Sequence, residues 1–330
     1  MNIISEHELL TRDGVAINFL TDSELCVVNS GEDSEALWGW LDNNDKQIDE
    51  LLLKQGAVLF RGFNLSEIDR FEKIVDKISK QVIIGYGDLP EEKKTKKVYG
   101  STPYPENMKI LFHNESSHLN SWPVRQYFSC VTPSVSGGET PIVDCRDIYQ
   151  KMEPAIREEF ERKGLIYHRN FIPGLDVSWQ DFYKTQDKNI AEQKIIDSGS
   201  SFNWLEDGSL LTQRVSQAVD VHPVTGEKVF FNQLMLHHPF FLKKEVRNAL
   251  MMIYGEDKLP RSVKYGDGSS ITDSTLEYIA QLYDQCAIEF SWKQGDLLVC
   301  DNMLVAHARN PFVGERKIIV GLSNPIELYR

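Results

Sequence analysis

Basic residues are scarce in this 330-residue chain, where 36 Lys and Arg stand against 49 Asp and Glu for a net charge of −13. Such a balance argues against nucleic acid or an anionic membrane as the main partner, since either would need a positive face. Cysteine is sparse as well: Cys26, Cys130, Cys145, Cys286 and Cys300 are odd in number, scattered, and without a Cys-x-x-Cys pair. That excludes a disulfide scaffold and is the usage of reduced thiols in a cytoplasmic protein. No window is apolar for long enough to span a bilayer, and residues 1–8 lack the basic start and apolar centre of a secretory signal, so a cytoplasmic location is expected. Internal repeats and low-complexity segments are absent. So is a Gly-x-Ser-x-Gly elbow, which sets a Ser-His-Asp hydrolase aside.

The chain does have the makings of a large core, with 41% hydrophobic and 26% charged residues. Glu35 to Leu53 has helical spacing, Gly56 to Phe63 is a glycine-bounded apolar strand, and Ser66 is placed to cap a helix running to about Ser79. Residues 90–97 form a charged, solvated loop. Strand and turn signals then dominate: Tyr127–Val131, a turn over Pro133–Gly138 whose paired glycines suit positive φ, and Glu139–Asp144. An amphipathic helix is expected from Cys145 to Lys163, and another over Asp273–Gln285. Further strands are expected at Ala218–Val224, Val229–Asn232, Ala287–Trp292, Asp296–Cys300 and Lys317–Leu322. Many short strands with helices outside them indicate a mainly β, α+β chain with a jelly-roll (double-stranded β-helix, cupin-like) core. It reads as a single domain over 1–330, with an α/β flank to about residue 97. A lid insertion is expected over about 165–220, where Trp179, Phe202 and Trp204 read first as packing residues, as does Trp122.

The chemistry gathers at Leu111-Phe-His113-Asn-Glu115-Ser and Asp301-Asn-Met-Leu-Val-Ala-His307. Side chains two apart on an extended segment share a face, so His113 and Glu115 present an imidazole and a carboxylate together. With His307 they have the composition of a two-His, one-carboxylate facial triad for non-haem Fe(II). The run from His307 through Asn310-Pro311 and Val313-Gly314 to Arg316-Lys-Ile-Ile-Val reads as a hairpin that returns Arg316 alongside the histidine. Its guanidinium suits one end of an organic diacid whose other end chelates the metal. Thr140 is either a β-former or a hydroxyl donor to such a carboxylate. Arg309 is the fallback for the diacid and a candidate for a substrate carboxylate, or else a structural arginine. His118, three residues past Glu115, reads as a residue behind the metal ligands or at the surface, and His222, His237, His238, His7 and His168 read as structural.

Taken with Val98-Tyr-Gly-Ser-Thr-Pro-Tyr-Pro, Gly137-Gly-Glu-Thr140 and His222-Pro-Val-Thr-Gly-Glu-Lys-Val-Phe-Phe-Asn232, these residues resemble the taurine-dioxygenase (TauD/TfdA) superfamily of Fe(II)/2-oxoglutarate oxygenases, in its clavaminate-synthase-like and SyrP-like branch. The likeness runs over about residues 55 to 325. It implies iron held by His113, Glu115 and His307, 2-oxoglutarate bound by Arg316 with help from Thr140, and O2 as oxidant. Glu115 stands where Asp is usual, a departure that the branch accommodates and that does not suit halogenation. The implied reaction couples decarboxylation of 2-oxoglutarate to oxidation of an unactivated C–H bond, normally a hydroxylation, with desaturation or ring closure as variants. The implied substrate is a small molecule, an amino acid or derivative, free or carrier-bound. A non-catalytic jelly-roll ligand-binding protein is the reading from another class, and oligomeric state is not legible.

Overall fold

The computed structural model describes residues 10–12, 14–20, 24–30, 33–84, 89–90, 95–175 and 177–327. Residues 1–8, with His7 among them, and residues 91–94 of the charged loop lie outside the described residues. The N-terminal flank opens with strands β1 (Leu10–Arg12), β2 (Val15–Phe19) and β3 (Cys26–Ser30), each antiparallel to the next. Helix α1 (Ala36–Gln55) then carries the chain over to β4 (Ala57–Arg61), which pairs with β3 in parallel. A parallel neighbour needs such a crossover, and the amphipathic spacing of Leu37, Trp40, Leu41, Ile48 and Leu52 seals it onto the sheet. Helix α2 (Ile68–Ile78) adds Phe71, Ile74 and Val75 to the same layer. Ser66 does not cap it. Glu67 occupies that position, while the Ser66 hydroxyl turns to Asn64 Oδ1 at 3.3 Å.

Five strands follow: β5 (Tyr99–Gly100), β6 (Ile110–His113), the long β7 (Ser121–Thr132), β8 (Ser136–Gly137) and β9 (Ile142–Asp144). The expected single helix from Cys145 to Lys163 is two, α3 (Cys145–Lys151) and α4 (Pro154–Lys163), because Pro154 forces Glu153 out of helical backbone, to ψ 131°. The segment expected as a lid contains strand β10 (Leu165–Phe171), helices α5 (Trp179–Tyr183) and α6 (Lys188–Asp197), and strands β11 (Ser201–Trp204) and β12 (Leu210–Ser216). Trp179, Phe202 and Trp204 pack there with Phe171 and Leu210 in a core of their own. Beyond it the strands expected at 218–224 and 229–232 shrink to β13 (Asp220–Val221) and β14 (Lys228–Val229), and the short helix α7 (Leu234–His237) follows. Helix α8 (Lys244–Tyr254) precedes β15 (Arg261–Tyr265), which completes a four-stranded sheet in the order β11-β12-β10-β15. Helix α9 (Asp273–Cys286) is close to expectation, but Ala287–Trp292 keeps one bridge, Ile142 to Ile288, where a strand was expected.

The last strands are β16 (Leu297–Asp301), β17 (Val305–Arg309), β18 (Phe312–Val313) and β19 (Lys317–Glu327). Two sheets now face each other: a large one ordered β1-β2-β3-β4-β16-β7-β19-β5 and a small one ordered β6-β17-β9. This is a jelly-roll core with flanking helices. The central strands β4 and β16 of the large sheet are buried on both faces, which explains apolar runs where a one-sided sheet would alternate with polar residues. Leu297 and Val299 of β16 meet the N-terminal helices, while Leu298 and Cys300 point into the space between the two sheets. The hairpin expected between His307 and Arg316 does not form. β17 lies in the small sheet and β19 in the large one, so the chain crosses the mouth of the core, pinned on the way by β18 pairing with β8. No helix among the described residues is long and apolar enough to cross a membrane.

Gly56 joins this scaffold to the site strands. It has φ +73°, donates its N–H to the Leu52 carbonyl, and leaves so little room that a Cβ would stand 2.5 Å from Val305 Cγ2 on β17. Gly56→Ala is therefore expected to destabilise the protein by about 1–3 kcal/mol. Urea denaturation of the variant against the wild type measures it.

Candidate active site

His307 stands directly across from His113 in the antiparallel pairing of β17 with β6. Opposed residues of an antiparallel pair project to the same face, so the two rings lie side by side with centroids 4.3 Å apart. The His113 Nδ1–H donates to the Leu111 carbonyl at 2.8 Å, which leaves Nε2 as a lone-pair donor. Burial pushes the His113 imidazole below its ordinary value of 6.5, against a smaller opposing effect of the Leu111 bond. His307 lies well below that value, first through burial and then through His113. Both rings are therefore neutral near pH 7, the form that binds a cation.

Glu115 joins them from a turn and not from the pleat of a strand. β6 ends at His113, and the next residues bend, with Ser116 at φ +55°. The carboxylate Oε2 lies 3.9 Å from His113 Nε2. Asn302, wholly buried in the turn between β16 and β17, makes this bend possible. Its Oδ1 accepts from Glu115 N–H at 2.8 Å, and its Nδ2 donates to the carbonyls of Glu115 and Pro123, each at 2.9 Å. Asn114 returns the contact by donating to the Asn302 carbonyl at 2.7 Å. Gln233 Nε2 donates to the Asn114 carbonyl at 3.0 Å, and the Asn232 N–H donates to Asn114 Oδ1 at 3.3 Å. These asparagines and the glutamine hold the acid's backbone, a role that the sequence reading did not assign to them. Their only sequence signal is position: Asn114, Asn232 and Asn302 lie in the motifs quoted above, and Gln233 directly follows one of them.

One donor atom from each of His113, Glu115 and His307 lies within 4.8 Å of the others. Two neutral imidazoles and one carboxylate on one side of a small volume match a facial-triad metal site, and His307 Nδ1, buried without a hydrogen-bond partner, is not tied up elsewhere. The same cavity is lined by Thr140, Arg309 and Arg316, with Phe128, Ile318 and Val320 as its apolar wall. Arg316 donates from Nε to the Gly138 carbonyl at 2.9 Å and reaches Thr140 Oγ1 at 3.4 Å. A Cβ on Gly138 would stand 3.0 Å from Arg316 Cδ, so the glycine admits the arginine as well as making the turn at φ +75°. Trp292 Nε1 donates to the same threonine hydroxyl at 3.1 Å and fixes it. Burial, then the Arg309 charge, lowers the Arg316 guanidinium to about 10, so it stays cationic at neutral pH.

Arg309 lies differently from the expectation. Its guanidinium donates to the carbonyls of Tyr104, Pro105 and Met108 at 3.1, 2.6 and 2.7 Å, holding that loop. With those donors on backbone, it serves the cavity wall; it neither takes the place of Arg316 nor presents a free fork to a carboxylate. His222 is structural as read: its ring meets Asp301 Oδ2 at 3.2 Å and accepts from Thr225 N–H at 3.1 Å. His118, His237 and Tyr167 bring their rings together at tilted to edge-on angles, with centroids 5.1, 5.3 and 5.6 Å apart.

Residues 29–322 match the family described as taurine catabolism dioxygenase TauD, TfdA family. The chain is 36% identical to the dapdiamide synthesis protein DdaC of Enterobacter agglomerans, over 84% of this chain and 85% of that one. It is 30% identical to a clavaminate synthase-like protein of Arabidopsis thaliana, covering 83% of each. Among solved structures it resembles a taurine dioxygenase from Burkholderia xenovorans with a TM-score of 0.56, at 17% identity, covering 95% of this chain and 91% of that one.

Two outcomes are expected of the site. Asn302→Ala should weaken divalent-metal affinity by about 10- to 100-fold, with the three ligands themselves unchanged, as read by Co(II) titration. Because burial holds both imidazoles below 6.5, the wild-type affinity should stay level as pH falls through that value and drop only further into acid. A midpoint of metal loss at 6.5 or above would contradict the assigned neutral state.

Proposed function

Because the chain belongs to the TauD, TfdA dioxygenase family, we propose that His113, Glu115 and His307 hold its catalytic Fe(II). The enzyme is an Fe(II)- and 2-oxoglutarate-dependent dioxygenase, and we assign Arg316, steadied by Thr140, to the distal carboxylate of 2-oxoglutarate. The observation that carries this assignment is the meeting of the opposed His113–His307 pair, Glu115 and Arg316 in one cavity. A non-catalytic binding protein has no evident need for all four.

Bound Fe(II) supplies dioxygen activation coupled to decarboxylation of 2-oxoglutarate. The chain's own residues do the rest. His113 and His307 offer neutral lone pairs, held by burial and by the Leu111 carbonyl. Glu115 contributes one negative charge to a dication and keeps its position through Asn302. Arg316 has no carboxylate partner among the described residues and brings a buried positive charge that a diacid complements. Phe128, Ile318 and Val320 line the cavity with hydrocarbon. The substrate in this reading is an amino acid or amino-acid derivative hydroxylated at an unactivated C–H bond in a biosynthetic pathway. Its support is the likeness to a protein named for dapdiamide synthesis and to a clavaminate synthase-like protein. The five cysteines are unpaired, in keeping with a reducing cytoplasm.

Succinate release from 2-oxoglutarate, with Fe(II) and oxygen, tests the reading across free amino acids and their carrier-bound thioesters. A substrate-dependent product heavier by one oxygen atom is expected, and His113→Ala should fall to background. Arg316→Gln should raise the KM for 2-oxoglutarate by about 10- to 100-fold, the loss of charge-assisted hydrogen bonds. An unchanged KM would move the co-substrate site elsewhere.

A further inference from the structure

The side chain of Gln126, in the middle of β7, lines the same cavity as the triad and Arg316. Gln126 pairs directly with Cys300 of β16 and with Leu322 of β19. Directly paired residues project to one face, which Phe128 shares from two positions along the strand, so the amide lies between the two sheets with these three core residues. Tyr127 points the other way, into the layer of α1 and α2.

Only 1% of Gln126 is exposed. Its Oε1 is buried without a hydrogen-bond partner, and its Nε2 has none either among the described residues. Its neighbours on the sheet are hydrocarbon and one thiol, which do not replace the water that an amide loses on burial. An unpaired buried amide is destabilising, so packing by itself favours leucine or methionine here, in keeping with Ile318 and Val320 along the same wall. A ligand that completes the amide accounts for its presence.

Such a ligand has to bring a donor and an acceptor together. At neutral pH 2-oxoglutarate carries acceptors only, so it leaves Oε1 unpaired wherever it lies in the cavity. A substrate carboxylate fails for the same reason and an ammonium group for the opposite one. Nor does the cavity hold a cation to spare for a second anion: Arg309 is engaged by three backbone carbonyls, and Arg316 is assigned to the co-substrate. A primary carboxamide presents C=O and N–H along one edge, as glutamine does, and two such edges close a pair of hydrogen bonds.

We propose that Gln126 selects the substrate and that the group it receives is a primary carboxamide. The inference rests on the oxygenase reading and deepens it: the amino-acid derivative oxidised here carries an uncharged amide. An acid or a methyl ester in its place leaves Oε1 unpaired, and that penalty is the source of selectivity.

Calorimetric titration of the anaerobic holoenzyme, with Fe(II) and saturating 2-oxoglutarate, tests it. The probes are asparagine and glutamine, each against its side-chain acid and side-chain methyl ester. At least one amide should bind once per chain, roughly tenfold or more tighter than its acid and ester. Gln126→Leu should erase that preference and leave the affinity for 2-oxoglutarate unchanged. The ligand-free Gln126→Leu protein should also melt about 2 °C higher, since the unpaired amide is gone, whereas an amide with a structural role would make the variant melt lower. A wild type without the preference, a leucine variant that keeps it, or a lower melting temperature would overturn the proposal. So would loss of 2-oxoglutarate binding in the leucine variant, which would give Gln126 to the co-substrate. Failure of 2-oxoglutarate to bind the wild type would instead remove the reading of the Arg316 site.

Discussion

The pairing of His307 with His113 is the constraint on which the site depends. The two residues are far apart in the chain, and backbone hydrogen bonds between β17 and β6, not side-chain chemistry, set their distance. A slip of one residue in that register would turn His307 to the other face and leave the site with one imidazole. Register is held by what surrounds the strands. β9 pairs with β17 on its other edge, Val305 packs against the tight turn at Gly56, and Ala306 and Ala308 are buried in the core. The packing that stabilises the jelly roll is thus the same packing that aligns the metal donors.

Burial has opposite consequences for the two halves of the cavity. For the imidazoles it favours the neutral form, which is the ligating one, so the core that aligns them also tunes them. For Arg316 it lowers the affinity for a proton without removing the charge, and leaves a cation in a place where water screens it poorly. A carboxylate entering that place gains more than it would at the surface. Glu115 needs a third device, since it lies in a turn: the buried amides of Asn114 and Asn302 replace the strand bonds that the turn forfeits.

Arg316 lines the cavity, but by a path other than the expected one. Two strands and a turn on the page suggest a hairpin, and a hairpin would have put the arginine beside His307. In the folded chain the strands belong to different sheets, and Arg316 reaches the cavity because the connection crosses its mouth against Gly138 and Thr140. Arg309 was indistinguishable from Arg316 as a charge in the sequence. Its difference lies in three carbonyls of the loop at Tyr104–Met108, more than 200 positions away, that no local pattern brings to it. Asn302 and Gln233 escaped notice for a related reason. An amide is recognised as a positioning group only by the atoms it touches.

The sequence by itself determined the strand-rich class, the apolar runs of strands buried on both sides, and the candidate donors that the fold brings together, because these follow from periodicity and residue chemistry. It also determined the break at Pro154, which a closer reading of the proline's backbone limits would have placed. Tertiary structure alone decided which strands share a sheet, and that Arg309 is held by the carbonyls of a distant loop while Arg316 is not. Those are pairings between distant segments. Their free energy depends on the packing of the whole core, and a linear pattern records each residue's preferences but not the partner it meets.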